Sequence, residues 1–237
     1  MCEIYGTSFK KRIRQNEYLN EFFRHSSGHP NGWGLALFDD GEVDIEKEPL
    51  QATKSHYLKS RLSEDIVYKQ LLAHIRYATI GNETYLNCHP FSLKDISGRR
   101  WTFIHNGTIF DCKELEKYTR FQKGDTDSER IILYLIDKVN EAIQKRKLSF
   151  GEKFDQDILS PYKRIEIVEE VLKTITPGNK INIILSDGEL IYAHTNMTGT
   201  LMRQENSLGV IIATSPVSKE IGKICQRENS LFIKMAS

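Results

Sequence analysis

Cys2 follows the initiator methionine directly, and its position suggests a reaction. Removal of Met1 leaves one residue that carries both a thiol and a free α-amine, so nucleophile and base come as a unit. An α-amine titrates near a pKa of about 8, so near neutrality it can take the thiol proton and later return it to a leaving amine. The same cysteine also fits a plainer part, a small residue opening a buried strand over Cys2–Ser8. Three further positions hold residue types that could take part. Arg76 closes the apolar run Leu71–Thr79, where a guanidinium needs a carboxylate or carbonyl partner. It reads either as half of a structural ion pair or as a planar fork for a substrate carboxylate. Asn106-Gly107, between two apolar runs, reads as a hairpin turn or as two donors, one side-chain amide and one backbone N–H, for an oxyanion. Asp127, in Gly124-Asp125-Thr126-Asp127-Ser128-Glu129, reads first as a carboxylate complementing a helix dipole, with Asp125 or Thr126 as the cap.

The elements that must hold these residues follow from hydrophobic period and turn chemistry. Apolar residues at helical spacing predict helices over Arg12–Phe23, Arg130–Arg146 and, after Pro161, up to Pro177-Gly178, with a short polar helix over Ser55–Asp65. A polar linker over Ser149–Ser160 separates the two long helices. Strands are expected at Leu35–Phe38, Glu42–Glu48, Leu71–Thr79, Arg100–Ile104, Lys180–Leu185, Leu190–His194, Leu208–Thr214 and Ser230–Lys234. Asp39-Asp40-Gly41 and Asp187-Gly188 are their hairpin turns. The stretch His25–Gly34 is a Gly- and Pro-rich loop in which Trp33 fills core and the flanking glycines allow close backbone approach. Strands, two long helices, then strands again call for two sheets with helices packed outside them. No repeat or low-complexity tract interrupts this order, so residues 1–237 are expected to form one domain.

Composition narrows the class. Lys and Arg total 33 against 32 Asp and Glu, a formal net charge of +1, which argues against a nucleic-acid or anionic-membrane partner. Neither a signal-peptide pattern nor an apolar run long enough for a bilayer is present, so a cytoplasmic protein is expected. The four cysteines contain no CxxC pair, which disfavours a disulfide framework or a zinc ribbon. Cys88-His89 with Cys112 or His105 is a poor metal set, because neighbours on a strand or turn point apart. The acidic cluster at 125–129 lacks the glycine and distal glutamate of an EF-hand. No metal and no cofactor is called for.

Taken in order, Met1-Cys2-Glu3, Gly32-Trp33-Gly34, His74-Ile75-Arg76-Tyr77-Ala78-Thr79, Asn87-Cys88-His89-Pro90-Phe91, His105-Asn106-Gly107-Thr108-Ile109 and Asp125-Thr126-Asp127-Ser128-Glu129 resemble a class II glutamine amidotransferase domain across almost the whole chain. The stand-alone YafJ-like branch is the most similar, and Leu185–Gly188 and Ile212–Pro216 agree with it. The resemblance implies an α+β fold, the four-layer αββα Ntn-hydrolase sandwich of two mainly antiparallel sheets flanked by helices. It implies Cys2 as nucleophile with its own α-amine as base, forming a γ-glutamyl thioester and releasing ammonia. Asn106 and Gly107 would hold the oxyanion, Arg76 the substrate α-carboxylate with Thr79 nearby, and Asp127 the α-ammonium. No synthase domain follows within these 237 residues, so ammonia is expected to go to a separate synthase subunit or to go free. The branch also includes hydrolases of γ-glutamyl peptides or amides, which keep the same catalytic core. A catalytically silent scaffold is disfavoured by the complete set of residue types.

Overall fold

The computed structural model describes residues 1–150, 159–217, 224–225 and 231–235. In chain order the elements are β1 (Glu3–Arg14), α1 (Asn16–Arg24), β2 (Trp33–Asp39), β3 (Glu42–Glu48), α2 (His56–Ser63), β4 (Val67–Ile75), β5 (Phe91–Lys94), β6 (Arg100–His105), α3 (Lys113–Glu116), α4 (Asp127–Phe150), α5 (Pro161–Ile175), β7 (Asn182–Ser186), β8 (Leu190–Thr195), β9 (Met202–Glu205), β10 (Gly209–Ala213), β11 (Ile224–Cys225) and β12 (Leu231–Met235). They form a seven-stranded sheet, β11-β9-β10-β1-β4-β2-β3, and a five-stranded sheet, β12-β8-β7-β6-β5. Every recorded strand pair is antiparallel.

Alternation along the strands builds the layers. On one face of the larger sheet Tyr5, Leu35, Leu71, Ala73 and Ile75 pack under Leu19, Phe22 and Phe23 of α1 and Leu58 of α2. On the opposite face Ile4, Ala36, Leu72 and Ile212 meet Ile104, Ile184 and Ala193 of the smaller sheet. The far side of that sheet, with Trp101, Phe103, Ile183 and Tyr192, is covered by Ile132, Leu135 and Val139 of α4 and Val168, Val171 and Ile175 of α5. Because side chains alternate with period two, Cys2 and Ile4 share the inner face of β1. His74 pairs with Ile4 across the β1–β4 ladder.

Two expectations need correcting. The helix predicted from Arg12 begins at Asn16. Residues before it stay extended because β1 resumes pairing past an irregularity, with Ile13 opposite Tyr68 and Arg14 opposite Val67. Gln15 and Asn16 then lock the corner through Tyr68 O, Leu62 O and Glu64 O. The hairpin turn at Asn106-Gly107 is absent. Instead the chain runs on beside the approach to β7, with reciprocal backbone bonds between Asn106 and Asn182 and between Thr108 and Lys180. Local turn chemistry yields here to pairing with a strand more than seventy residues away. The expected linker lies in part outside the described residues, while Ser149 and Phe150 end α4.

Candidate active site

Cys2 is half-buried at the start of β1. Its Sγ accepts the Tyr77 N–H at 3.3 Å and approaches Tyr77 O at 3.4 Å. This contact follows from register, since Glu3 lies opposite Ile75 as the last pair of the ladder and the chain beyond it carries Cys2 on one side and Arg76-Tyr77 on the other. Burial pushes the thiol pKa up, and Asp127 adds to this. The Tyr77 backbone, the chain's terminal ammonium and Arg76 pull it down. With Met1 in place the Cys2 nitrogen is an amide, so it cannot serve as a base.

Arg76 is 3% exposed. Its Nη1 donates to Asn31 O and Asn82 O at 3.4 and 3.1 Å, and its Nη2 to Ile80 O and Gly81 O at 3.1 and 3.0 Å. Of the partners considered for a buried guanidinium, the structure gives main-chain carbonyls; no ion pair to Arg76 forms among the described residues. The carbonyls of residues 80–82 belong to the turn that carries Thr79, which is exposed. Asp125 pins the far side of that turn, accepting from Asn82 Nδ2 at 2.7 Å and from Asn87 Nδ2, and these bonds lower its carboxyl pKa. Asp125 is thus a loop fastener, and the helix cap is Thr126, whose Oγ1 accepts the Glu129 N–H at 3.3 Å.

On the smaller sheet, Asn106 is 3% exposed and its Oδ1 is buried without a partner among the described residues. A Cβ on Gly107 would sit 1.9 Å from Lys180 O and 2.5 Å from His105 Nε2, so only glycine passes here. No described hydrogen bond uses the Gly107 N–H. Asp127 opens α4 and is 5% exposed. Its Oδ2 accepts the Ile109 N–H at 2.7 Å, which ties the carboxylate to the strand end bearing Asn106 and Gly107. Electrostatic influence of Arg76 and Asp127 on Cys2 links the two sides. Among the described residues no group of His, Cys, Asp and Glu is assembled as a metal site. Cys88 and His89 indeed diverge: Cys88 Sγ lies against Glu48 O and Thr84 O, while the His89 ring stacks on His74 at 4.1 Å.

The family model for class II glutamine amidotransferases matches residues 1–221. The chain belongs to that family. A protein of Methanocaldococcus jannaschii is 32% identical over 199 residues, spanning 84% of this chain and 52% of its own length. The chain thus covers about half of that relative. YafJ of Escherichia coli, named as a glutamine amidotransferase, is 25% identical over 244 residues, covering 92% of this chain and 91% of YafJ. Glutamine phosphoribosylpyrophosphate amidotransferase of Bacillus subtilis superposes with a TM-score of 0.65 at 16% identity, covering all of this chain and 49% of that one. At that identity the likeness speaks for the fold alone, and the fold is the Ntn-hydrolase type: two antiparallel sheets between helices.

Within this family member, two site residues escaped sequence reasoning. Asn31 accepts the Ala78 N–H at 2.9 Å and lends its carbonyl to Arg76, fastening the Thr79 turn to the loop before Trp33. Its place in a Pro-Asn-Gly run reads only as turn chemistry. His74 is wholly buried; its motif is visible in the sequence, but its inward direction follows only from the register with Ile4.

Proposed function

We infer that this class II family member cleaves the γ-amide of glutamine, with Cys2 as nucleophile once Met1 has been removed and residues 1–237 acting as one glutaminase domain. The observation carrying this reading is the seat of the Cys2 thiol on the Tyr77 backbone, beside a buried guanidinium and within the field of a buried carboxylate. The freed α-amine takes the thiol proton as Sγ attacks the amide carbon. The negative charge on the carbonyl oxygen is met by Asn106 Nδ2 and the Gly107 N–H, a donor pair whose worth is realised as charge develops. Collapse breaks the C–N bond, the α-amine returns its proton to the departing nitrogen, and ammonia leaves behind a γ-glutamyl thioester. Water, deprotonated by the same amine, hydrolyses the thioester to glutamate and regenerates the thiol.

Arg76 would receive the α-carboxylate by giving up some of its four carbonyl partners, with Thr79 nearby, and Asp127 would receive the α-ammonium. A zwitterion fixed by one cation and one anion is oriented as well as bound. Ammonia then passes to a separate synthase subunit or goes free. A cytoplasmic setting, where thiols stay reduced, suits a cysteine nucleophile.

A second reading, hydrolysis of a γ-glutamyl peptide or amide, is favoured by one observation. Tyr77 is 44% exposed beside Cys2, and the His29 ring stands edge-on to it at 6.1 Å, leaving an open aromatic side for a larger leaving group. Intact mass of the purified chain, then ammonia and glutamate release from glutamine beside a γ-glutamyl dipeptide, tests both. Turnover of glutamine alone supports the first reading and turnover of the dipeptide alone the second. A chain lacking Met1 that cleaves neither removes Cys2 from its assigned role.

A further inference from the structure

The two halves of the site sit on different sheets. Cys2 and Arg76 belong to the larger sheet, at the ends of β1 and β4, while Asn106 and Gly107 extend β6 of the smaller one. Hydrogen-bonded ladders fix distances within a sheet, but between sheets only side-chain packing does so. Oxyanion donors act only if they are aimed at the carbon that the thiol attacks, and a misplacement of about 1 Å can cost on the order of 10²-fold in rate. Something must therefore set the spacing.

Two buried imidazoles lie where such a device belongs. His74 is 0% exposed and sits on β4 two residues before Arg76, opposite Ile4. Its Nε2 is 3.1 Å from His105 O, the carbonyl that immediately precedes Asn106. A carbonyl only accepts, so His74 Nε2 carries the proton, and one N–H···O bond crosses between the sheets. The ring is fixed from the side by His89, stacked at 4.1 Å. A side chain at Gly34 would collide with His89 O at 1.9 Å, so that glycine admits the stacking segment.

His105, at 1% exposure, works from the other face of β6. Its Nε2 is 3.3 Å from Lys180 O and its Nδ1 is 2.9 Å from Ser128 Oγ. By the same argument Nε2–H donates to the carbonyl and Nδ1 accepts the Ser128 hydroxyl. Lys180 O also accepts the Thr108 N–H at 2.9 Å and forbids a side chain on Gly107. Ser128 neighbours Asp127. One ring therefore ties the Gly107 segment to the first turn of α4.

We propose that His74 and His105 are positioning residues that aim the Asn106 and Gly107 donors at the carbon attacked by Cys2, His74 by spanning the two sheets and His105 by bracing the Asn106-Gly107 segment against Ser128. Neither ring transfers a proton or touches the substrate. Both are held neutral, burial pushing each pKa down, so the donor and acceptor assignments stay constant near neutrality. This inference rests on the amidohydrolase reading of Cys2.

The test compares His74→Leu, which keeps bulk but loses the N–H, with His74→Gln, which restores a donor, and Ser128→Ala with Ser128→Thr. Each is assayed for glutamine turnover, or γ-glutamyl dipeptide turnover if that is the substrate. Labelling of Cys2 is measured with iodoacetamide, which needs only the thiol, and with 6-diazo-5-oxo-L-norleucine, a glutamine analogue whose ketone needs the oxyanion donors. Expected for His74→Leu and Ser128→Ala is a fall of about 10- to 100-fold in kcat and in labelling by the analogue. KM should stay within about twofold and iodoacetamide labelling should not change. His74→Gln and Ser128→Thr should recover most of the loss.

If His74→Leu turns over and labels like wild type, the inference is overturned while the function stands. The same holds if Leu and Gln variants lose activity and melting temperature in parallel, as for mere packing residues. If wild-type protein lacking Met1 cleaves neither substrate and its Cys2 ignores the glutamine analogue, the amidohydrolase reading fails and takes the inference with it.

Discussion

The Cys2 thiol rests on the backbone of Tyr77, accepting its N–H at 3.3 Å, one residue beyond the Arg76 guanidinium. Nucleophile and cation are thus set by the pairing of two adjacent strands, β1 and β4, rather than by a loop. Cys2→Ser should lower amide hydrolysis by at least about 10³-fold, because a hydroxyl is a far weaker nucleophile in a site built for sulfur. Cys112→Ser, at the start of α3, should leave kcat and KM unchanged. Iodoacetamide should modify Cys2 ahead of Cys88, whose buried thiol is pushed up to about 11. Equal labelling of the two would count against a reactive Cys2.

The oxyanion pair makes a separate prediction. Asn106→Ala removes one donor and should cut kcat by about 10²- to 10³-fold with little change in KM, since the bond matters chiefly as charge forms. Gly107→Ala should be worse, because its Cβ would meet Lys180 O at 1.9 Å and the strand end must move. Steady-state kinetics separate the two: a raised KM with normal kcat in Asn106→Ala would mean ground-state binding instead.

The charges assigned to the head group should act on binding. Arg76→Lys keeps the charge but loses the fork, and its four carbonyl partners cannot all be served by one ammonium. Asp127→Asn retains an acceptor for the Ile109 N–H while losing the negative charge. Each should raise KM at least about 30-fold, Arg76→Lys through the lost bidentate geometry and Asp127→Asn through the lost charge. Isothermal titration of a Cys2→Ala background with glutamine checks this without turnover, and unaltered affinity in both variants would reject the assignment.

How much of this was legible in the sequence depends on the distance over which each feature is decided. The α5 helix, from Pro161 to Ile175 under a Ser160 cap, could be read because cap, proline and apolar period are all local. The layered order of strands and helices was legible for the same reason. Asn106-Gly107 showed its residue types but not its conformation, because Asn182 and Lys180 hold it extended. Arg76 showed a need for partners, yet the carbonyls of residues 80–82 are found only once Asp125 fastens that turn. The alignment of His74 with Ile4, and hence its inward aim, belongs to register between strands, which no local pattern states.

Arg164 was also missed, although its spacing from Val168 and Val171 puts it on the apolar face of α5, because a guanidinium reads as a solvated residue. It is buried, with Nε 2.7 Å from Asp187 Oδ2 and Nη2 2.6 Å from Glu189 Oε2, while Tyr192 OH donates to the same Asp187 oxygen at 2.8 Å. This cluster clamps α5 to the β7–β8 turn. Asp187→Ala takes the buried partner from Arg164 Nε and from the Tyr192 hydroxyl, leaving Arg164 with Glu189 and Leu159 O, and should cost about 3 kcal/mol, lowering the melting temperature by roughly 10 °C. Chemical denaturation checks it, and a change below about 1 kcal/mol would show the cluster to be replaceable.

The buried histidines predict a pH dependence of stability. Burial depresses His74 to about 3 from 6.5, and it holds His89 and His105 below their ordinary value as well. Each ring therefore binds a proton in the unfolded chain before it does so in the folded one. The unfolded state holds more protons below about pH 6.5, so stability is complete above that pH and declines as the pH falls toward the folded values. The slope approaches about 1.4 kcal/mol per pH unit for each of His74 and His89, and His105 adds to it in the same direction. Between about pH 6.5 and pH 5 this decline should dominate, because ordinary carboxylates titrate lower, near about pH 4. Urea unfolding across that interval measures the slope. His89→Phe, which keeps an aromatic ring against His74 and Phe91 but binds no proton, should flatten it by one histidine's share. An unchanged slope in that variant would mean that His89 is protonated in the folded chain.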